Sequence, residues 1–110
     1  MKKKIGLLTN TQKPKALKMA NRLLSWGSNK GIEFVLPPHE AAILGTPGVT
    51  DEEWKDIVDL AIVIGGDGTF LRAGRYVLGS CIPLYGINVG HLGFLASGDP
   101  DNAEQEIEQI

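Results

Sequence analysis

The chain has 110 residues and 43% apolar content, enough for one domain with a single core and too much for a disordered segment. Eleven basic and thirteen acidic residues leave a net charge of −2, so no strongly basic face for nucleic acid is expected. There is no membrane-length apolar run and no secretory leader pattern, and Cys81 is the single cysteine, which excludes an intrachain disulfide framework or a cysteine-rich metal site.

These features predict a cytoplasmic protein without membrane or nucleic-acid partners. The opening Lys2-Lys3-Lys4 reads as a solvated end, with a binding patch as the alternative. Cys81, entering an apolar run in Gly-Ser-Cys-Ile-Pro, reads as a small buried hydrophobe.

Lys4-Ile5-Gly6-Leu7-Leu8-Thr9 predicts a short buried strand, turned by residues 10–13. Pro14 suits the first turn of a helix, and Ala16, Leu17, Ala20, Leu23 and Leu24 recur at helical spacing. Gly27 and Gly31 are expected to bracket the helix exit. A second strand is predicted over residues 32–36, stopped by Pro37-Pro38. Ala41-Ala42-Ile43-Leu44 reads as a helical turn before Gly45. Thr50-Asp51-Glu52-Glu53 is a capping box, and Val49 and Trp54 stand where a hydrophobic staple would place them.

Leu60-Ala61-Ile62-Val63-Ile64 is a continuous apolar run, as expected of a strand covered on both faces. Phe70, Leu71, Ala73, Val77 and Leu78 predict a helix closed by Gly79, and residues 83–87 a fourth strand. The alternation of strand and helix predicts a Rossmann-like α/β domain, a parallel sheet with helices on both faces. Asp99-Pro100-Asp101 opens a last helix, with Ala103, Ile107 and Ile110 on its apolar side. Its final turn carries Glu106 and Glu108 against the helix dipole, with no glycine cap. This reads as a sequence cut within a longer protein, with residues 1–98 an N-terminal α/β domain and 99–110 leading out of it.

In such folds ligands bind beyond the carboxyl ends of the strands. Gly65-Gly66-Asp67-Gly68-Thr69 lies at that edge, as do Thr9-Asn10 and residues 88–93. Glycines admit a ligand to the backbone, and Gly66 and Gly68 could adopt positive φ without a Cβ penalty. Exposed N–H groups at a following helix start suit phosphate. A carboxylate repels phosphate, so Asp67 points to a bound cation or to a hydroxyl needing a base; the bland alternative is a helix cap or a turn support. No G-x-G-x-x-G fingerprint is complete, because Leu71 stands where the third glycine belongs. There is no Walker A lysine and no Gly-x-Ser-x-Gly, and His39 and His91 are too isolated for a zinc site. In the second glycine cluster, Asn88 could bond a ribose or hold the loop. Phe94 could be core or face a nucleobase, and His91 reads as a structural side chain.

Gly65-Gly66-Asp67-Gly68-Thr69 followed by Asn88-Val89-Gly90-His91-Leu92-Gly93-Phe94-Leu95 resembles the NAD kinase family. The first motif is shared with lipid kinases and the phosphofructokinase superfamily; the second, at this distance, distinguishes NAD kinases. The resemblance runs the length of the chain. It implies transfer of a phosphoryl group from ATP, or from polyphosphate, to the adenosine ribose 2′-hydroxyl of NAD, giving NADP. It implies a divalent cation, usually Mg2+, a second β-rich domain beyond residue 110, and a homo-oligomer in the full-length protein. By the same resemblance Asp67 is the proton acceptor, Gly68 and Arg72 belong to the NAD site, and Phe94 lies against adenine. Gly65, Gly66 and Thr69 would hold phosphate. The fragment alone is expected to be inactive. A lipid kinase domain and a non-enzymatic phosphate-binding module are the alternatives.

Overall fold

The computed structural model describes residues 3–89 and 103–108. Four strands, β1 (Lys3–Thr9), β2 (Ile32–Val35), β3 (Leu60–Gly65) and β4 (Leu84–Asn88), form one sheet in the order β2-β1-β3-β4. Every pairing is parallel, with Leu7 opposite Ile62 and Gly65 opposite Asn88. The helices are α1 (Pro14–Lys30), α2 (Pro38–Leu44), α3 (Asp51–Ile57), α4 (Asp67–Tyr76) and α5 (Ala103–Glu108).

Parallel strands need crossovers, and the helices supply them on both faces. Alternation along the strands divides the core. Ile5, Leu7, Ile62 and Ile64 pack with Ala16, Met19, Ala20 and Leu23 of α1 and Ile107 of α5. Leu8, Ala61 and Val63 pack with Trp54 of α3 and with Phe70 and Ala73 of α4. β3 is buried at every position, as its unbroken apolar run requires. Arg22 of α1 grips Glu104 of α5 through two hydrogen bonds, one of 2.6 Å from Nε.

Helix ends follow local chemistry. Pro14 opens α1, and Gly31 closes it in the left-handed conformation (φ 71°), its N–H donating to the Gly27 carbonyl. The capping box of α3 forms: Glu53 N–H donates to Thr50 Oγ1 (3.1 Å) and Thr50 N–H to the Glu53 carboxylate (3.3 Å). Val49 and Trp54 join the same apolar cluster. The stretch around Ala41 is a full helix with its own left-handed cap, Gly45 (φ 66°).

Two expectations need correction, and one freedom goes unused. Gly27 lies inside α1 and does not mark its exit; it is glycine because a Cβ there would meet the Phe34 ring at 2.5 Å. Cys81 is exposed: it sits in the α4–β4 connection, where Ile82 supplies the apolar contact. Gly66 and Gly68 do not use positive φ. Among the described residues only Gly31, Gly45 and Gly79 do, and Gly66 is extended (φ −116°) because α4 begins directly after the strand. Residues Gly90–Leu95, with His91 and Phe94, and the stretch Asp99–Asp101 lie outside the described residues, as does Ile110.

Candidate active site

From β1 the chain crosses to β2 on one side, then returns to place β3 on the other. The carboxyl ends of β1 and β3 therefore diverge, and a crevice opens between their following loops. The Asn10 N–H donates to the Ile64 carbonyl (2.9 Å), the last tie between the two strands. Beyond it, Asn10 Oδ1 accepts from the Gln12 N–H (3.0 Å), which turns the chain towards α1.

On the β3 side, Gly65 ends the strand and α4 starts at Asp67. A Cβ on Gly65 would lie 2.5 Å from Thr69 Oγ1, so this glycine allows the helix to fold back tightly on the strand end. At Gly66 and Gly68 an added Cβ would meet nothing within 4 Å. The outer surface of the loop is thus open. Gly66 at the N-cap has no side chain to bond the first turn of α4, which leaves N–H donors at the positive end of the helix.

A cavity of about 360 Å3 fills the crevice, lined by residues 10–13 on one side and by Gly66, Gly68 and Thr69 on the other. Its charged and titratable lining groups are Lys13, His39 and Arg72, with no carboxylate among the described residues. Arg72, one turn into α4, reaches back so that its Nη2 donates to the Thr9 carbonyl (3.3 Å). His39 Nε2 and Thr11 Oγ1 are 3.2 Å apart, joining α2 to the β1 loop. Helix donors and cationic side chains around one cavity are chemistry suited to an anion.

Asp67 stands beside this cavity and does not line it. It is half-buried in the first turn of α4, and its Oδ1 is enclosed with no hydrogen-bond partner among the described residues. Thr9 Oγ1, at the end of β1, is likewise enclosed and unpartnered, as is the Tyr85 hydroxyl on β4. Such groups are rare and call for a partner. Asp67 is therefore not a helix cap, since no cap bond forms at this helix.

The structure brings Gly66, Gly68, Thr69 and Arg72 around one cavity, with Gly65 and Asp67 adjoining it. Asn88 is the β4 partner of Gly65 in the sheet, and the Val89 N–H donates to the Gly65 carbonyl (3.2 Å), so the second motif begins beside the first. Sequence reasoning missed Lys13 and His39 as site residues. Each lies outside the glycine motifs and arrives through the topology. The signal available for His39 was its place just after the end of β2, at the same carboxyl edge.

Fold and site together define a parallel α/β domain with a glycine loop, a helix N-terminus and a carboxylate at the carboxyl edge of its sheet. The chain belongs to the ATP-NAD kinase N-terminal domain family, whose profile matches residues 5–110. It is 38% identical over 106 residues to the NAD kinase of Geobacter metallireducens, a match covering 96% of this chain and 38% of that protein. It is 37% identical over 109 residues to the NAD kinase of Escherichia coli (strain K12 / DH10B), covering 96% of this chain and 37% of that one. The crystal structure of yeast NADH kinase complexed with NADH has the same fold, with a TM-score of 0.86 at 16% identity, over 98% of this chain and 37% of the other. The chain spans a little over a third of the length of the curated relatives it matches.

Proposed function

We propose that this chain is the Asp-bearing half of an NAD kinase, which transfers the terminal phosphoryl group of ATP to the adenosine ribose 2′-hydroxyl of NAD and yields NADP. The observation that carries the reading is the Asp67 carboxylate, held at a phosphate-suited glycine loop with one oxygen enclosed and unpartnered. The family and the NAD kinase relatives support it.

In the reaction the ribose oxygen forms a bond to the γ-phosphorus, the β–γ bridging P–O bond breaks, and ADP leaves with the electron pair. Asp67 orients the hydroxyl and accepts its proton. Gly65 lets Thr69 close on the strand end, while Gly66 and Gly68 admit phosphate to the backbone N–H groups. Lys13 and Arg72 face the developing negative charge. Phosphoryl transfer depends mainly on positioning and charge stabilisation, which this arrangement supplies. Asn88 is assigned to the ribose, and Phe94 to the adenine of NAD.

No group of three metal-ligating side chains occurs among the described residues. Mg2+ is commonly held by one or two carboxylates together with substrate phosphates, so the donor set here fits an ion carried on ATP, with Asp67 the carboxylate that the loop offers. When bound, such an ion neutralises phosphate charge. The same reading takes residues 1–98 as an N-terminal domain, with a second β-rich domain completing the NAD site, and the whole as a cytoplasmic homo-oligomer.

The test is Mg2+- and ATP-dependent formation of NADP from NAD by the full-length protein. Turnover that is lost in Asp67→Asn supports the assignment. A folded protein that makes no NADP with ATP or polyphosphate refutes it.

A further inference from the structure

Beside the crevice cavity lies a second one, of about 320 Å3. The two meet along His39, Thr69 and Arg72, which line both. Their characters differ. The crevice is faced by the polar loop 10–13. The second cavity is faced by Leu8, Pro37 and Ala73, with the Tyr76 ring as a further wall.

One buried carboxylate also lines this apolar slot. Glu40, in the first turn of α2, is 7% exposed. Burial raises its pKa above the ordinary carboxylate value, against the opposing pull of the Arg72 and His39 charges and of the backbone N–H groups of Glu40 and Thr9. The other carboxylate of the slot, Asp51, already accepts a hydrogen bond from the Tyr76 hydroxyl. Among the described residues no side-chain donor holds Glu40, so its carboxyl keeps acceptor capacity for an incoming donor.

We propose that this slot receives the base of the phosphoryl donor. The donor is then a nucleoside triphosphate whose phosphates occupy the adjoining crevice and whose base carries an exocyclic amine that donates to Glu40. The inference rests on the phosphoryl-transfer reading above and adds where the donor's base sits and which residue selects it. A slot of this size, with apolar walls, one aromatic ring and a buried carboxyl among its polar groups, matches a single heterocycle. Thr69 and Arg72, on the shared boundary, stand where the triphosphate passes from one cavity to the other. Inorganic polyphosphate has no group to fill the slot.

The test is equilibrium titration of the purified protein with Mg-ATP, Mg-inosine triphosphate and magnesium tripolyphosphate. ATP is expected to bind at least about tenfold more tightly than tripolyphosphate, because only ATP buries apolar surface. Inosine triphosphate, with a carbonyl in place of the amine, is expected to bind more weakly than ATP, and Glu40→Gln to narrow that gap. Ala73→Leu fills the slot and is expected to weaken ATP about tenfold while tripolyphosphate changes much less. Equal affinities for ATP and tripolyphosphate in the unaltered protein would overturn the proposal. So would an Ala73→Leu protein with an unchanged circular dichroism spectrum in which both ligands weaken equally. Should Ala73→Leu fail to fold, the comparisons on the unaltered protein decide. Binding is read without turnover: equal affinities alongside NADP formation refute the slot alone, and an ATP preference without NADP formation refutes the kinase alone.

Discussion

Two pairs of glycines in this chain do opposite work. Gly6 in β1 and Gly65 at the end of β3 are glycine because something presses on them: the Trp54 indole covers the first, and Thr69 the second. Gly66 and Gly68 are glycine where nothing presses at all. The first pair is explained by packing inside the fold. The second has no explanation inside the fold, since neither close contact nor positive φ requires it. Space kept clear beside a helix N-terminus and an unpaired carboxylate is what the proposed phosphate site requires. Glycine at a packed site is thus a stability device, whereas the open glycines of the loop are those the proposed site would use; Gly74, equally open, lines neither cavity.

The largest effect that separates the two regions is expected at Asp67. Asp67→Asn preserves shape and removes the proton acceptor, so turnover should fall by about 10³-fold, within the usual range for a general base. Stability should change by less than about 1 kcal/mol, the size of a lost helix-terminus charge interaction. Steady-state assay and urea melts of the same preparation check both. A large loss of stability would move Asp67 into the structural group.

Next comes Gly6→Ala. The added methyl collides with the Trp54 ring, which is fully buried and anchored by its Nε1 donating to the Val35 carbonyl (2.8 Å). Neither partner can retreat, so the cost should reach about 3 kcal/mol, the upper end for overpacking. Urea unfolding measures it. A variant as stable as the parent would show that α3 can slide on the sheet, and the packed-glycine class would lose its clearest member.

The contrast sharpens at Gly68→Ala. Gly68 lies in the first turn of α4 with open space around it. Alanine is the better helix former, so stability should rise by about 0.5–1 kcal/mol. The same methyl would occupy ligand space, and the KM for NAD or ATP should rise about tenfold, equivalent to roughly 1.4 kcal/mol. More stable and less active is the signature of a site glycine; a variant improved in stability with unchanged kinetics would remove Gly68 from the site.

The same division explains what was legible in the sequence. β3, the α3 capping box and the order of elements came from local patterns, because burial on both faces and reciprocal end-capping are written in consecutive residues. The glycine loop was legible as the junction of β3 and α4 for the same reason. What failed depended on distant partners. Gly27 is set by Phe34 on the next strand. The exposure of Cys81 follows from how the connection leaves α4. Lys13 and His39 reach the crevice only because β1 and β3 are neighbours and diverge at their ends, and strand order is not written in any window of sequence. The positive φ open to Gly66 and Gly68 is not used, because a strand running straight into a helix does not need it.

The smallest effect tests how firmly α5 belongs to the fold. Arg22 and Glu104 make a forked pair, and the hydrogen bonds from Arg22 hold the Glu104 carboxyl below its usual pKa of 4.5. Arg22 is 44% exposed, so water screens the pair and its contribution should be under about 1 kcal/mol. A carboxylate with a depressed folded-state pKa contributes its stability above the unfolded value and loses it as pH falls below about 4.5 through the folded value. Glu104→Gln should therefore lower stability slightly at pH 7 and make no difference near pH 2, where both proteins carry a neutral side chain. The buried Glu40 should act in the opposite direction, favouring the folded state at low pH and losing that contribution as pH rises through its raised pKa. Urea melts of parent and Glu104→Gln across this range isolate the exposed pair, because the Glu40 term is common to both and cancels. A difference that persisted to pH 2 would show that the Glu104 side chain contributes through contacts that do not depend on its charge.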